Sequence, residues 1–248
     1  MQPGDEDLDA VPFPEIRGRN LVVEEKMDGA NAAVSFTPEG KLLLQSRGHY
    51  LRGGAREKHF NLFKQWGHTH GHALWPVLGD RYVMYGEWLY ARHTVFYTHL
   101  PHYFMEFDVL DKQSGQFLST PRRQGLLAGL PIVPVKVLQE GTFTALSQLT
   151  DLIGPSHFIQ ADHLSLLREI CRGMGLDAER ALRETDPSPD MEGLYIKVEE
   201  DGVVKERYKF VRAGFLTVVQ QSESHWLTRP IIPNRLAPGV DIFAGASS

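Results

Sequence analysis

Glu24-Glu25-Lys26-Met27-Asp28-Gly29-Ala30-Asn31 lies between two short apolar runs. Leu21-Val22-Val23 before it and Ala32-Ala33-Val34-Ser35-Phe36 after it both read as strands. Gly29 permits a tight turn, so the spacing predicts a strand, a turn beneath Lys26 and a second strand folding back. A lysine at such a junction, beside carboxylates able to hold a metal, suits covalent chemistry. A free lysine amine has a pKa of about 10.4. To act as a nucleophile near neutral pH it needs burial or a nearby cation to favour its neutral form. Taken alone, Lys-x-Asp-Gly reads more readily as a solvated lysine on an acidic turn, and the remainder of the chain has to decide.

The 248 residues give room for one large domain or two small ones. Apolar residues make up 42% and charged residues 23%, ordinary for a soluble globular protein. No apolar run approaches the roughly 18 residues of a membrane helix. Residues 1–12 open on an acidic segment with no apolar core, which predicts a disordered N-terminus rather than a signal peptide. The single cysteine, Cys171, allows no internal disulfide and fits a reducing compartment, the cytoplasm. A net charge of −5 leaves any attraction for nucleic acid to local patches.

Lys41 to Arg47 reads as a strand, paired with the one before it through the turn Pro38-Glu39-Gly40. Arg47, Arg52, Arg56, Lys58 and Lys64 form a basic run opposed by Glu57, and Arg56 to Trp66 reads as a helix with Phe60, Phe63 and Trp66 on one side. The run is either a solvated helix face or a phosphate-binding surface, since arginine forks suit phosphate oxygens. His68-Thr69-His70-Gly71-His72 reads as a solvated loop rather than a zinc site. Tyr82 to Tyr90 is a strand whose alternation places Val83, Tyr85, Glu87 and Leu89 on one face. An acid there needs a partner: a metal, a ribose hydroxyl, or an Arg or Tyr side chain of the protein. Tyr103 to Val109 is an aromatic strand, in which a phenylalanine could stack on a base. Helical patterns follow over 120–130, 146–153, 164–174 and 177–184, with Leu164, Leu167, Cys171 and Met174 facing the core, and no chemistry is read in them.

Asp201-Gly202 between β-rich runs predicts a two-residue hairpin turn. That register sets Glu200 opposite Val203, Ile196 opposite Arg207 and Leu194 opposite Lys209. It gathers Glu192, Leu194, Ile196, Val198, Lys205, Arg207 and Lys209 on one face, and leaves Lys197 on the other in an ion pair with Glu206. Basic groups on a shared face call for an anion, and Glu192 at its end suits a metal bound to that anion.

In this order the segments resemble the motifs of the covalent nucleotidyltransferase superfamily of DNA and RNA ligases and mRNA capping enzymes. Lys26-Met27-Asp28-Gly29 resembles the nucleophile motif, and Ser46-Arg47-Gly48 the arginine motif. Gly86-Glu87 and Glu106-Phe107-Asp108 resemble the next two. Glu192 to Lys197 and Arg207-Tyr208-Lys209 resemble the last pair. Asn31 and the Gly86 to Ala91 context are most similar to the ATP-dependent RNA ligase branch that includes phage RNA ligase 2. The resemblance implies an α+β nucleotidyltransferase fold, with antiparallel sheets around an ATP pocket, flanking helices and no C-terminal oligonucleotide-binding barrel. Residues 13–248 would form one such domain ending in a short tail.

The implied activity joins 3′-hydroxyl and 5′-phosphate RNA ends through a lysyl-AMP intermediate on Lys26. The resemblance gives Arg47 to ribose and phosphate, Glu87 to ribose or metal, Phe107 to the adenine face, Glu25 to the adenine edge and Glu192 to magnesium or manganese. Lys209, and Arg207 beside it, would bind the α-phosphate. Arg207 departs from the pattern, which has lysine there, and arginine keeps the charge but not the shape. Arg52, Arg56, Lys58 and Lys64 would bind the RNA end, and an end-healing kinase or phosphatase is a candidate partner. A small DNA ligase and a nucleotide- or RNA-binding module that has lost ligation are the alternatives; a capping enzyme would carry GMP instead.

Overall fold

The computed structural model describes residues 13–222 and 229–245, with the side chains of Ala55 and Arg56 left aside. The acidic segment expected to be disordered, residues 1–12, lies outside them.

Eleven strands form one sheet. In chain order they are β1 (Asn20–Lys26), β2 (Ala30–Phe36), β3 (Leu42–Ser46), β4 (His49–Tyr50), β5 (Tyr82–Trp88), β6 (Phe104–Asp111), β7 (Gln116–Leu118), β8 (Val133–Pro134), β9 (Val137–Thr142), β10 (Gly193–Glu200) and β11 (Val203–Val211). The helices are α1 (Phe13–Ile16), α2 (Asn61–Leu78), α3 (Thr120–Leu127), α4 (Leu146–Thr150), α5 (His163–Gly173), α6 (Ala178–Arg183) and α7 (Ala213–Gln221). The spatial order is β4-β3-β2-β5-β6-β7-β11-β10-β1-β9, antiparallel throughout, with β8 parallel to β6 off this path. The expected α+β architecture is therefore present.

Two findings alter the expected topology. First, β1 and β2 do not pair: β1 sits beside β10 and β9, and β2 beside β3 and β5. Met27-Asp28-Gly29 carries the chain from one half of the sheet to the other instead of closing a hairpin. Asp28 pins the crossing: its Oδ2 accepts the Thr94 and Val95 N–H groups at 2.7 and 2.6 Å, and its own N–H donates to Tyr97 Oη at 2.8 Å. Gly29 is needed for space, because a Cβ there would lie 2.8 Å from both the Trp88 carbonyl oxygen and Leu89 Cδ2.

Second, the Asp201-Gly202 turn keeps Glu200 opposite Val203, but the register shifts by one between Val198 and Glu199. A bulge leaves Lys205 without a partner across the ladder, and one extra residue turns every later side chain of β11 over. Arg207 then faces Lys197 and Lys209 faces Tyr195, in place of Ile196 and Leu194. Lys197 is fully buried and does not pair with Glu206, which takes Arg19 at 2.6 Å. Leu194, Ile196 and Val198 turn to the opposite side, into a core with Leu21, Val23, Phe143 and Leu149.

α2 runs straight through the histidine-rich segment expected to be a loop. Phe63, Trp66, His70, Leu74 and Leu78 recur at helical spacing and are buried. Tertiary packing overrides the weak propensity of Gly67 and Gly71. Gly67 lets the helix approach Leu44, where a Cβ would lie 2.9 Å from Cδ1. His70 is held by the Ile242 carbonyl oxygen at 2.9 Å, while His68 and His72 are exposed. Met174, expected in the core, is the C-cap of α5 and is 48% exposed.

The halves are joined below the crossing by a fully buried arginine. Arg123 of α3 pairs with Glu24 of β1 and Glu106 of β6. Removing one partner of a buried ion cluster strands the others at low dielectric. We expect Arg123→Ala to cost about 3–5 kcal/mol in chemical denaturation. Arg168→Ala, which breaks the exposed pair with Glu179, should cost no more than about 1 kcal/mol. Equal small losses for both would mean that the buried cluster does not hold the halves together.

Candidate active site

Side chains alternate along a strand, so Glu24 and Lys26 share a face of β1. The pairings add Gly193 and Tyr195 of β10 to that face, and the shifted register adds Arg207 and Lys209 of β11. Opposite stand Glu87 on β5, Phe107 on β6 and Arg47 in the turn after β3. Lys26, Arg47, Glu87, Phe107, Arg207 and Lys209 line one cavity of about 950 Å³. Glu192, just before β10, reaches it through Lys26, whose Nζ lies 2.7 Å from Oε1. The residues singled out from the sequence for nucleotide and metal thus converge from β1, β5, β6 and β11 and from the turns beside β3 and β10, although they span most of the chain.

The charges here are unbalanced. Burial pushes Glu87 up to about 8; nearby Lys26 opposes this, while Glu192 and Asp28 add to it. Burial likewise pushes Glu192 up to about 7 against the pull of Lys26. For Lys26 itself burial favours the neutral amine, yet Glu192 and Glu87 outweigh it and hold its pKa above the ordinary value. The expectation of a neutral amine is thus not met in the protein by itself. Glu87, Glu192 and Asp28 all act on one ammonium and all have raised pKa values, and a further cation would favour their ionised forms. Glu192 Oε2 is buried with no hydrogen-bond partner. Among the described residues no three His, Cys, Asp or Glu side chains form a metal site by themselves.

Glu25 borders the cavity, but its carboxylate accepts a hydrogen bond from Ser156 Oγ at 2.5 Å, and burial raises its pKa to about 7. Beneath the cavity lies a layer the sequence did not disclose. Lys197 Nζ lies 3.0 Å from Glu24 Oε2 and 3.1 Å from Asp108 Oδ1, and donates to the Phe107 carbonyl oxygen. Asp108 also accepts from Tyr195 Oη at 2.6 Å and from Arg207 Nη1 at 3.3 Å. Burial would raise Asp108, but Lys197 and Arg207 hold it below the usual carboxylate range. Arg123 had no local signal, since a basic residue in a short helix reads as solvent-facing. Phe117 and Tyr85 also line the cavity; Tyr85 shares the predicted face with Glu87, whereas three-residue β7, which carries Phe117, is too short to announce itself.

The basic run divides. Arg52 and Lys58 are exposed, whereas Lys64 is taken by Glu57 at 2.7 Å, and Arg56 falls among the side chains left aside. Glu57 also accepts the Arg52 and Gly53 N–H groups at 3.1 and 2.8 Å, fixing the loop at the cavity rim.

A family model described as RNA ligase matches residues 19–211. No curated protein matches the chain in sequence. Among solved structures, the chain is similar to Naegleria gruberi RNA ligase with PPi (TM-score 0.54, 18% identity, 84% of this chain and 53% of that one). It is also similar to mutants of that ligase with ATP and Mn and with AMP and Mn. Each has a TM-score of 0.53 at 18% identity, over 83% of this chain and 53% of theirs. The likeness is one of fold, and the chain spans about half the length of those structures.

Glu192 is the largest influence raising the Lys26 ammonium. Glu192→Gln leaves burial less opposed, so the amine should lose its proton at lower pH. Competitive acylation read by mass spectrometry should show faster modification of Lys26 at pH 8 in this variant than in the wild type. An unchanged or slower rate would show that Glu192 does not hold the proton on Lys26.

Proposed function

From the membership of this chain in the RNA ligase family, which the match over residues 19–211 establishes, we propose that it is an ATP-dependent RNA ligase. It joins 3′-hydroxyl to 5′-phosphate ends. The observation that carries this reading is the convergence of Lys26 with Arg47, Arg207, Lys209, Glu87 and Phe107 on one cavity large enough for a nucleotide. Lys26 Nζ, once deprotonated, attacks the α-phosphorus of ATP; the N–P bond forms as the bond to pyrophosphate breaks. An oxygen of the RNA 5′-phosphate then attacks that phosphorus, the N–P bond breaks and the amine regains a proton. The 3′-hydroxyl finally attacks the 5′-phosphorus and releases AMP. These are in-line displacements, so the protein contributes position and charge.

In this reading Lys209 and Arg207 grip phosphate, Arg47 contacts ribose and phosphate, Phe107 stacks on adenine, and Glu25 meets its edge. Glu192, with its unpartnered oxygen, and Glu87 would hold a magnesium or manganese ion. Such an ion neutralises phosphate charge in this kind of transfer. The solved Naegleria gruberi ligase complexes with ATP and Mn, with PPi, and with AMP and Mn support this use of substrate, leaving group and product. Exposed Arg52 and Lys58, with Lys64, form the RNA-end surface of the proposal, to which Arg56 is assigned from its place in the sequence. Residues 13–248 act as one nucleotidyltransferase unit in the cytoplasm, with an end-healing kinase or phosphatase supplying ligatable ends. No helix among the described residues is long and apolar enough to cross a membrane.

Incubation with α-labelled ATP should label the wild type, and Lys26→Ala should abolish the label; a labelled mutant would refute the assignment. Labelling should quicken as pH rises above neutral, because the raised Lys26 gives up its proton only in the alkaline range. Sealing of nicked RNA but not nicked DNA separates the proposal from a small DNA ligase. Labelling without sealing of either strand would favour the module that has lost ligation.

A further inference from the structure

Phe117 lies on the three-residue β7, the strand that bridges the two halves of the sheet. Its backbone pairs with Leu110 on one side and Val204 on the other, so its position is fixed from both halves. Tyr85 packs against it with ring centroids 5.9 Å apart. The Arg207 guanidinium carbon sits 3.9 Å from the Phe117 ring centroid, and Arg207 Nη1 lies 3.3 Å from the fully buried Asp108. Phe117 and Arg207 both line the main cavity, and the Arg207 side chain is 29% exposed.

A guanidinium is planar and carries five N–H donors in a rigid fork. One edge fastened to Asp108 and one face laid against an aromatic ring leave it little freedom to turn. Its remaining donors then meet an anion without first being ordered, which lowers the cost of binding. A lysine has neither the plane nor the fork, so it cannot use the same two supports in the same way. Arg207 stands where the motif resemblance leads one to expect lysine, and the ring beneath it gives that departure a physical reason.

We infer that Phe117 is a positioning residue that, together with Asp108, fixes the plane of Arg207 so that its fork meets a phosphate of the bound nucleoside triphosphate. The inference rests on the ligase reading of the same cavity.

The test is the rate of labelling by α-labelled ATP, followed against ATP concentration, for the wild type, Phe117→Leu, Phe117→Tyr, Arg207→Lys and the double variant Phe117→Leu/Arg207→Lys. Phe117→Leu should raise the half-saturating ATP concentration about fivefold, the worth of one cation–π contact, with the maximal rate changed by less than about twofold. Phe117→Tyr keeps the ring face and should behave as the wild type. Arg207→Lys should lose at least as much as Phe117→Leu despite keeping the charge, and the double variant should be no worse than Arg207→Lys alone. An unchanged Phe117→Leu, or losses that multiply in the double variant, would overturn the inference. Should Phe117→Leu fail to fold by circular dichroism, wild-type half-saturation in Arg207→Lys would overturn it and a raised value would sustain it. No label on the wild type would sink the ligase reading and this inference with it, whereas label on the wild type with an unaltered Phe117→Leu sinks the inference alone.

Discussion

The buried ion cluster under the cavity is the constraint on which the rest of the architecture depends. Glu24, Glu106, Asp108, Arg123 and Lys197 are all almost fully buried, and they come from β1, β6, α3 and β10. Charges taken out of water are tolerable only when paired and hydrogen-bonded, so each of these residues restricts where the others can be. An apolar layer of equal volume could hold two sheet halves together at least as well. The cluster ties β1 and β10 to β6 through Arg123 and Lys197, and losing any one member strands the others away from water.

With that spacing set, the path of the chain at Lys26 becomes intelligible. β1 ends in one half and β2 begins in the other, so the three residues after Lys26 must cross the gap. The crossing leaves Lys26 at its brink. Asp28 cannot serve the site and pin the backbone equally well: its carboxylate oxygen is committed to two N–H groups of the 94–95 segment. The Asp and Gly that follow the lysine thus build the ledge on which it stands.

The electrostatics of the cavity have an order of their own. Next to Lys26 the carboxylates outnumber the cations and the ammonium is held charged; farther along β11, Lys209 and Arg207 bring positive charge. A polyphosphate with an accompanying cation satisfies both ends at once, since it supplies anions to the basic end and a positive charge to the acidic one. Burial sharpens each preference, because the same separations are worth more away from water.

Most of the residues proposed to carry chemistry were legible in the linear chain. Lys26, Glu87, Phe107, Glu192 and Lys209 stand at strand ends or at alternating positions, and it is their place in motifs that resemble, in order, those of the covalent nucleotidyltransferases that singled them out and implied the α+β class. What the chain alone could not convey depended on partners distant in sequence. The bulge at Lys205 shifts the register by one residue, and nothing local announces it. The histidine-rich segment stays helical only because β3 and the aromatic core lie against it. Arg123 and Lys197 look solvent-facing until Glu24, Glu106 and Asp108 are brought beside them. Residue chemistry and period were written locally; pairing across the sheet and the burial of charge were decided in three dimensions, because both depend on neighbours that the order of residues does not name.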